Sequence, residues 1–90
     1  ARIPGASEKL AHEVVGFVQE LRRMDLYKLP GVAETLDWAT ALVALDANDL
    51  SPGVVDDTLG AILKYQDDVT QVRNTGVNKI LAAAQRDASS

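Results

Sequence analysis

The titratable side chains of this 90-residue chain offer little material for catalysis. His12 is the only histidine and there is no cysteine, which excludes multi-histidine metal sites, thiolate zinc sites and cysteine nucleophiles. A Ser-His-acid triad could be built only around His12, whose neighbours Lys9 and Glu13 are typical of a solvated helix position. We therefore expect no catalytic residue in this chain.

Two pairs of adjacent carboxylates, Asp56-Asp57 and Asp67-Asp68, are the other groups that could hold a ligand. Hard cations such as Mg²⁺ and Ca²⁺ require several oxygen ligands that converge from a loop. Both pairs lie instead at or near predicted helix starts, where carboxylates stabilise the helix dipole and cap backbone N–H groups. We expect capping, with Asp67 or Asp68 as the cap of a fourth helix, and no metal site.

The charge balance argues against nucleic acid as a partner. The formal net charge is −4 and Arg22-Arg23 is the only adjacent basic pair, whereas nucleic-acid binders carry a basic stripe. The chain has no GxxxxGK[ST] phosphate loop and no GxGxxG turn. It also shows no signal-peptide pattern and no apolar run long enough to span a membrane. We expect a cytoplasmic domain that contacts neither nucleic acid nor membrane.

Apolar residues recur at spacings of three and four, which predicts helices along most of the chain. The first helix follows Ser7, a candidate N-cap, and ends near Arg22-Arg23. The second covers residues 32–45 and is apolar around most of its girth, so we expect it to be the central, buried helix. The third begins at Ser51-Pro52, a serine cap followed by proline, and reaches about residue 64.

The end of the chain allows two interpretations. The fourth helix either stops at Asn74-Thr75-Gly76, with Gly76 in the left-handed conformation, or continues as far as Ala84. The sequence thus predicts an all-α fold, a single domain over residues 1–90 built as a bundle of four or five helices. Residues 1–6 form a leading loop, and residues 77–90 form a helical extension or a frayed tail.

Three residues have both a structural and a functional interpretation. Gly16 and Gly60 lie off the apolar stripes of their helices, and each marks either a tolerated surface glycine or the close approach of another surface. Trp38 either fills the core or lies at a contact surface. We favour the structural interpretation of Gly16 and Trp38.

The stretch KLPGVAETLDWATAL, residues 28–42, resembles a segment of MoxR-type AAA+ ATPases, in the branch near the carbon monoxide dehydrogenase maturation ATPase. The flanking segments LAHEVVGFVQELRR and VDDTLGAILKY agree with it, so the resemblance covers residues 3–72. In that family the segment belongs to the small helical lid after the nucleotide-binding core. The resemblance implies that this chain is such a lid, closing over nucleotide held by the core.

The same resemblance implies which residues face the nucleotide. Many of these lids begin the corresponding helix with Gly-x-Ser-Pro-Arg, whose arginine, called sensor 2, reaches the γ-phosphate. Matching that glycine to Gly31 puts Thr35 at the arginine position, so the sensor arginine is absent. Gly31, Thr35 and Lys28, the last as a substitute charge, are the implied nucleotide-facing positions. Glu34 opposes a triphosphate there unless it pairs with a cation; we favour Glu34 reaching back to cap the helix, with Gly31 at the cap position. For Trp38, the resemblance implies stacking near an adenine or a partner subunit as the alternative to a place in the core.

The resemblance also implies the ligands and partners. ATP and Mg²⁺ bind the parent protein, and neither is expected to bind this fragment alone. The partners are the AAA+ core of the same chain, neighbouring ring subunits and a protein with a von Willebrand factor A domain. The alternative is a free-standing acidic helical adaptor that binds a protein partner through an exposed groove and has no nucleotide role.

Overall fold

Five α-helices make up the computed structural model, which describes the backbone of residues 5–89 and the side chains of residues 5–86. No strand occurs in that part of the chain, so the predicted all-α bundle is confirmed. Residues 1–4 of the predicted leading loop lie outside the described residues. The helices are α1 (Glu8–Leu21), α2 (Val32–Ala44), α3 (Pro52–Ile62), α4 (Gln66–Thr75) and α5 (Val77–Ser89).

Two serines begin helices as their sequence contexts predict. The Oγ of Ser7 accepts a hydrogen bond from the N–H of Leu10 at 3.1 Å at the start of α1. The Oγ of Ser51 accepts from the N–H of Val54 at 3.4 Å, with Pro52 in the first turn of α3. Each bond satisfies one of the N–H groups that a helix start leaves without an intrahelical partner.

Gly76 separates α4 from α5. Its φ of 104° lies in the region that side chains rarely adopt and glycine adopts freely. The N–H of Gly76 still donates to the carbonyl oxygen of Val72 at 3.0 Å, and the chain then begins a fifth helix. Of the two outcomes that the sequence allowed, the stop at Gly76 is observed, and the backbone after it is helical as far as Ser89.

The centre of the core is an aromatic pair between α1 and α2. The rings of Phe17 and Trp38 are both fully buried, with centroids 5.4 Å apart. The indole N–H of Trp38 donates to the Oγ1 of Thr58 on α3 at 2.8 Å. The only polar group of the tryptophan side chain therefore has a hydrogen-bond partner. The core interpretation of Trp38 is therefore confirmed, and its ring has no exposed face for an adenine. Around this pair lie the buried apolar residues of α1, namely Leu10, Val14, Val18 and Leu21.

The prediction that α2 is the central, buried helix is wrong. Only one face of α2 enters the core, because the helix packs on α1 and α3 and not between several layers. The buried residues of α2 are Trp38, Ala39 and Leu42, whereas Val32, Leu36 and Leu45 are exposed.

Helices α1 and α5 approach each other closely at Gly16. A Cβ on Gly16 would lie 3.5 Å from both the Cβ and the carbonyl oxygen of Ala84. Gly16 therefore marks the approach of another surface, which is the interpretation we favoured less, and that surface belongs to this chain. Gly60 has no described atom within 4 Å of such a Cβ and is a surface glycine.

Candidate functional site at the start of α2

Gly31, Thr35 and Lys28, the positions implied by the resemblance, lie at or just before the start of α2. Gly31 is the N-cap residue of the helix. The Oγ1 of Thr35 donates to the carbonyl oxygen of Gly31 at 2.7 Å, so these two residues are in direct contact. Lys28 lies in the preceding loop with an exposed side chain.

The carboxylate of Glu34 occupies the helix start. Its Oε1 accepts a hydrogen bond from the N–H of Gly31 at 3.1 Å, so the predicted capping is confirmed. That bond lowers the pKa of Glu34 below its usual 4.5, with smaller contributions from the charges of Lys28 and Lys64. Free N–H groups at a helix start attract phosphate, but here a carboxylate already binds one of them. A phosphate that used the N–H of Gly31 would have to displace Glu34 from it.

A shallow groove between α1 and α2 lies beside this helix start. Its volume of about 210 Å³ is below the roughly 300–1,000 Å³ that is usual for small-molecule sites. The groove can therefore accept a side chain or part of a ligand, and not a whole nucleotide. It is lined by Val15, Val18, Gln19, Arg22, Gly31, Val32, Thr35 and Leu36.

Two basic residues of this region were missed in the sequence. Arg22, which follows α1, lines the groove beside Gly31. Lys64, in the connection between α3 and α4, lies close enough to Glu34 for its charge to lower the pKa of that carboxyl. The packing of separate helices brings both residues to the α2 start, so no local spacing could have indicated them. Lys28 and Lys64 thus both act on Glu34, and Arg22 lies across the groove from the same helix start.

The loop that carries Lys28 is attached to α4 by Asp68. The carboxylate of Asp68 is fully buried and accepts hydrogen bonds from the N–H groups of Tyr27 and Lys28, at 2.8 and 3.1 Å. The prediction that Asp67 or Asp68 caps α4 is wrong, because the N-cap residue is Tyr65. Asp68 binds backbone N–H groups as expected of a capping residue, but they belong to a distant loop.

The other side chains considered from the sequence as metal ligands or catalytic groups lie in other parts of the structure and in different surroundings. The Oδ1 of Asp56 accepts a hydrogen bond from the Nε of Arg73 at 2.8 Å. His12 is exposed and lines a groove between α1 and α5 with Glu8 and Glu13. Within residues 5–86, no three His, Asp or Glu side chains converge so as to hold a metal ion. No helix in the described part of the chain has the length and hydrophobicity needed to cross a membrane.

Comparison with protein-family models, with curated proteins and with solved structures finds no match to this chain. Its function is therefore inferred from its own residues, foremost those around the start of α2.

Proposed function

We propose that this chain is the helical lid of a MoxR-like AAA+ ATPase. Such a lid closes over nucleotide held by a separate core domain. It couples ATP binding and hydrolysis to chaperone-like remodelling or metalloenzyme maturation. The observation that carries the proposal is a set of exposed apolar side chains around the start of α2, of which Leu29, Val32 and Leu36 lie within the segment of the resemblance. This α2 surface consists of Tyr27, Leu29, Val32, Leu36 and Tyr65.

The composition of the α2 surface is that of an interface. Tyr27 is 79% and Val32 75% exposed, although both are large apolar residues. The rings of Tyr27 and Tyr65 meet edge to face with centroids 6.2 Å apart, and Val32 and Leu36 are one helical turn apart. Large apolar side chains concentrated in one region of a protein surface mark sites of interaction. In the proposed lid, this surface faces the core domain or a neighbouring ring subunit.

The nucleotide role of the lid is limited in this proposal. The core supplies the phosphate loop and Mg²⁺, and the lid contributes Gly31, Thr35 and Lys28 at its edge. Lys28 takes the place of the missing sensor arginine, while Glu34 keeps the helix start capped or pairs with the cation. Rotation of the lid as a rigid body then transmits the nucleotide state to the neighbouring subunit. By resemblance, the partners of the ATPase include a protein with a von Willebrand factor A domain.

The first test is calorimetric titration of the 90-residue chain with ATP and Mg²⁺. We expect no measurable heat of binding, because the groove beside the implied nucleotide-facing residues is small and Glu34 already binds the N–H of Gly31. Tight binding of ATP by this chain alone would contradict the division of work between core and lid.

The alternative is an acidic helical adaptor, which the exposed α2 surface also favours. An adaptor binds a protein partner through that surface and has no nucleotide role. The two functions differ in what the gene must encode before Ala1. A lid requires an upstream GxxxxGK[ST] loop and a strand with the acidic residue of Walker B, whereas an adaptor requires neither.

A further inference from the structure

Asp68 is the only charged side chain that is fully buried among residues 5–86. Removing a carboxylate from water is strongly unfavourable unless hydrogen bonds replace those of the solvent. A residue that only filled this part of the core would be apolar, as its neighbour Val69 is. The burial of Asp68 therefore indicates a role in which its two carboxylate oxygens accept hydrogen bonds.

Those two oxygens bind two consecutive backbone groups. Oδ1 accepts from the N–H of Tyr27 and Oδ2 from the N–H of Lys28. A pair of bonds from one carboxylate fixes the direction of the loop as well as its distance from α4, and bonds to a charged acceptor are the stronger kind. The first turn of α4 stabilises the charge, because the positive end of the helix dipole lies there.

We infer that Asp68 is a positioning residue that fixes the loop over residues 25–31 and thereby assembles the α2 surface. Tyr27 is mostly exposed, and its ring contacts that of Tyr65, the N-cap residue of α4. Asp68 holds the Tyr27 backbone to the same helix start, so it sets the distance between the two rings. The same bonds fix the point from which the Lys28 side chain leaves the backbone. This inference holds whether the partner is an AAA+ core or another protein.

The test compares Asp68→Ala and Asp68→Asn with Asp67→Asn, a control at the adjacent, exposed position. Amide hydrogen exchange and ring-to-ring nuclear Overhauser effects are measured by NMR on the 90-residue chain. In Asp68→Ala we expect the amides of Tyr27 and Lys28 to exchange roughly tenfold to a hundredfold faster, as suits the loss of a bond to a charged group. The Overhauser effect between Tyr27 and Tyr65 should disappear.

The remaining readouts separate positioning from a general role in stability. Amides in the core of α1 should lose much less protection than those of the loop, and Asp67→Asn should change neither. Asp68→Asn keeps one acceptor oxygen, so one of the two loop amides should stay protected even if Asp68→Ala does not fold. Full protection of both amides in Asp68→Asn, or equal losses in the loop and in α1, would overturn the inference. No nucleotide takes part, so failure here is distinct from failure of the lid proposal.

Discussion

Glu34 shows how a single carboxylate can decide what a helix start is able to bind. Its Oε1 takes the N–H of Gly31, and the charges of Lys28 and Lys64 act on it from two other segments. A helix start that is free attracts anions, whereas here the N–H of Gly31 is already bound by a carboxylate of the same helix. The residue thus stabilises α2 and places a negative charge where a phosphate would otherwise be attracted.

Replacing Glu34 by Gln tests this assignment. The folded-state pKa is lowered, so the stabilisation by the carboxylate is complete above the usual value of 4.5 and is lost as the pH falls through the lower, folded-state pKa. Thermal unfolding followed by circular dichroism should show Glu34→Gln to be less stable than the unchanged chain at neutral pH. Below the folded-state pKa of Glu34, the Glu34→Gln variant and the unchanged chain should have the same stability.

The control for this titration is Asp37→Asn, an exposed carboxylate on the same helix. It should not reproduce the pH-dependent difference. A deficit of Glu34→Gln that is the same in acid as at neutral pH would contradict the capping account.

Thr58 tests the hydrogen bond at the centre of the core. Its Oγ1 accepts from the Trp38 indole and donates to the carbonyl oxygen of Val54, both at 2.8 Å. Thr58→Val keeps the volume but leaves the buried indole N–H without an acceptor, which should lower the free energy of unfolding by about 1–3 kcal/mol. Thr58→Ser retains the hydroxyl and loses one methyl group, so it should cost only about 0.8 kcal/mol. Chemical denaturation measures both values, and equal losses would show that the bond contributes nothing.

At the scale of elements, the contact between α1 and α5 depends on small residues at the point of approach. A Cβ on Gly16 would already lie at van der Waals distance, 3.5 Å, from Ala84. Gly16→Leu should therefore lower the free energy of unfolding by about 1–3 kcal/mol through overpacking. Gly60→Leu, in open space on α3, should instead raise it by about 0.5–1 kcal/mol, because glycine weakens a helix interior.

Gly16→Ala completes this comparison, since a single methyl group fits. It should match the gain of Gly60→Leu when the variants are compared by chemical denaturation. A destabilised Gly60→Leu, or a Gly16→Leu as stable as the parent chain, would show that α5 does not pack at Gly16 as described.

The helix starts were predictable where nearby residues of the sequence determine them. Ser7 and Ser51-Pro52 start helices because caps and first-turn proline act within a few residues of themselves. The exposure of α2 was not predictable, because its apolar residues surround the helix and only tertiary packing decides which of them are covered. The contact of Gly16 with Ala84 likewise joins two helices at opposite ends of the chain.

The candidate site likewise has some features that local spacing predicts and others that depend on tertiary packing. The capping of α2 by Glu34 follows from a spacing of three residues and was predicted. The arrival of Arg22, Lys64 and Asp68 at the same region depends on how α1, α3 and α4 are packed, and no short-range pattern encodes it. Asp68 was assigned to its own helix because an acid beside a helix start usually caps that start.

At the scale of the whole molecule, a bundle with an acidic net charge exposes several large apolar side chains, namely the five of the α2 surface and Leu45 at the other end of α2. The described residues contain no cluster that could hold a metal, and the groove at the α2 start cannot enclose a nucleotide. The exposed side chains of the α2 surface and the resemblance of residues 28–42 are what support our proposal that this surface contacts an AAA+ core.

ATP hydrolysis by the complete gene product tests this proposal most directly. Val32→Asp and Leu45→Asp both place a charge at an exposed apolar position next to or within α2, but Leu45 lies at the opposite end of the helix from the α2 surface. We expect the unchanged protein and Leu45→Asp to hydrolyse ATP at similar rates, and Val32→Asp to be several-fold slower because its lid no longer docks on the core. Absence of ATP hydrolysis by the complete product, or equal rates for the two variants, would contradict the proposal.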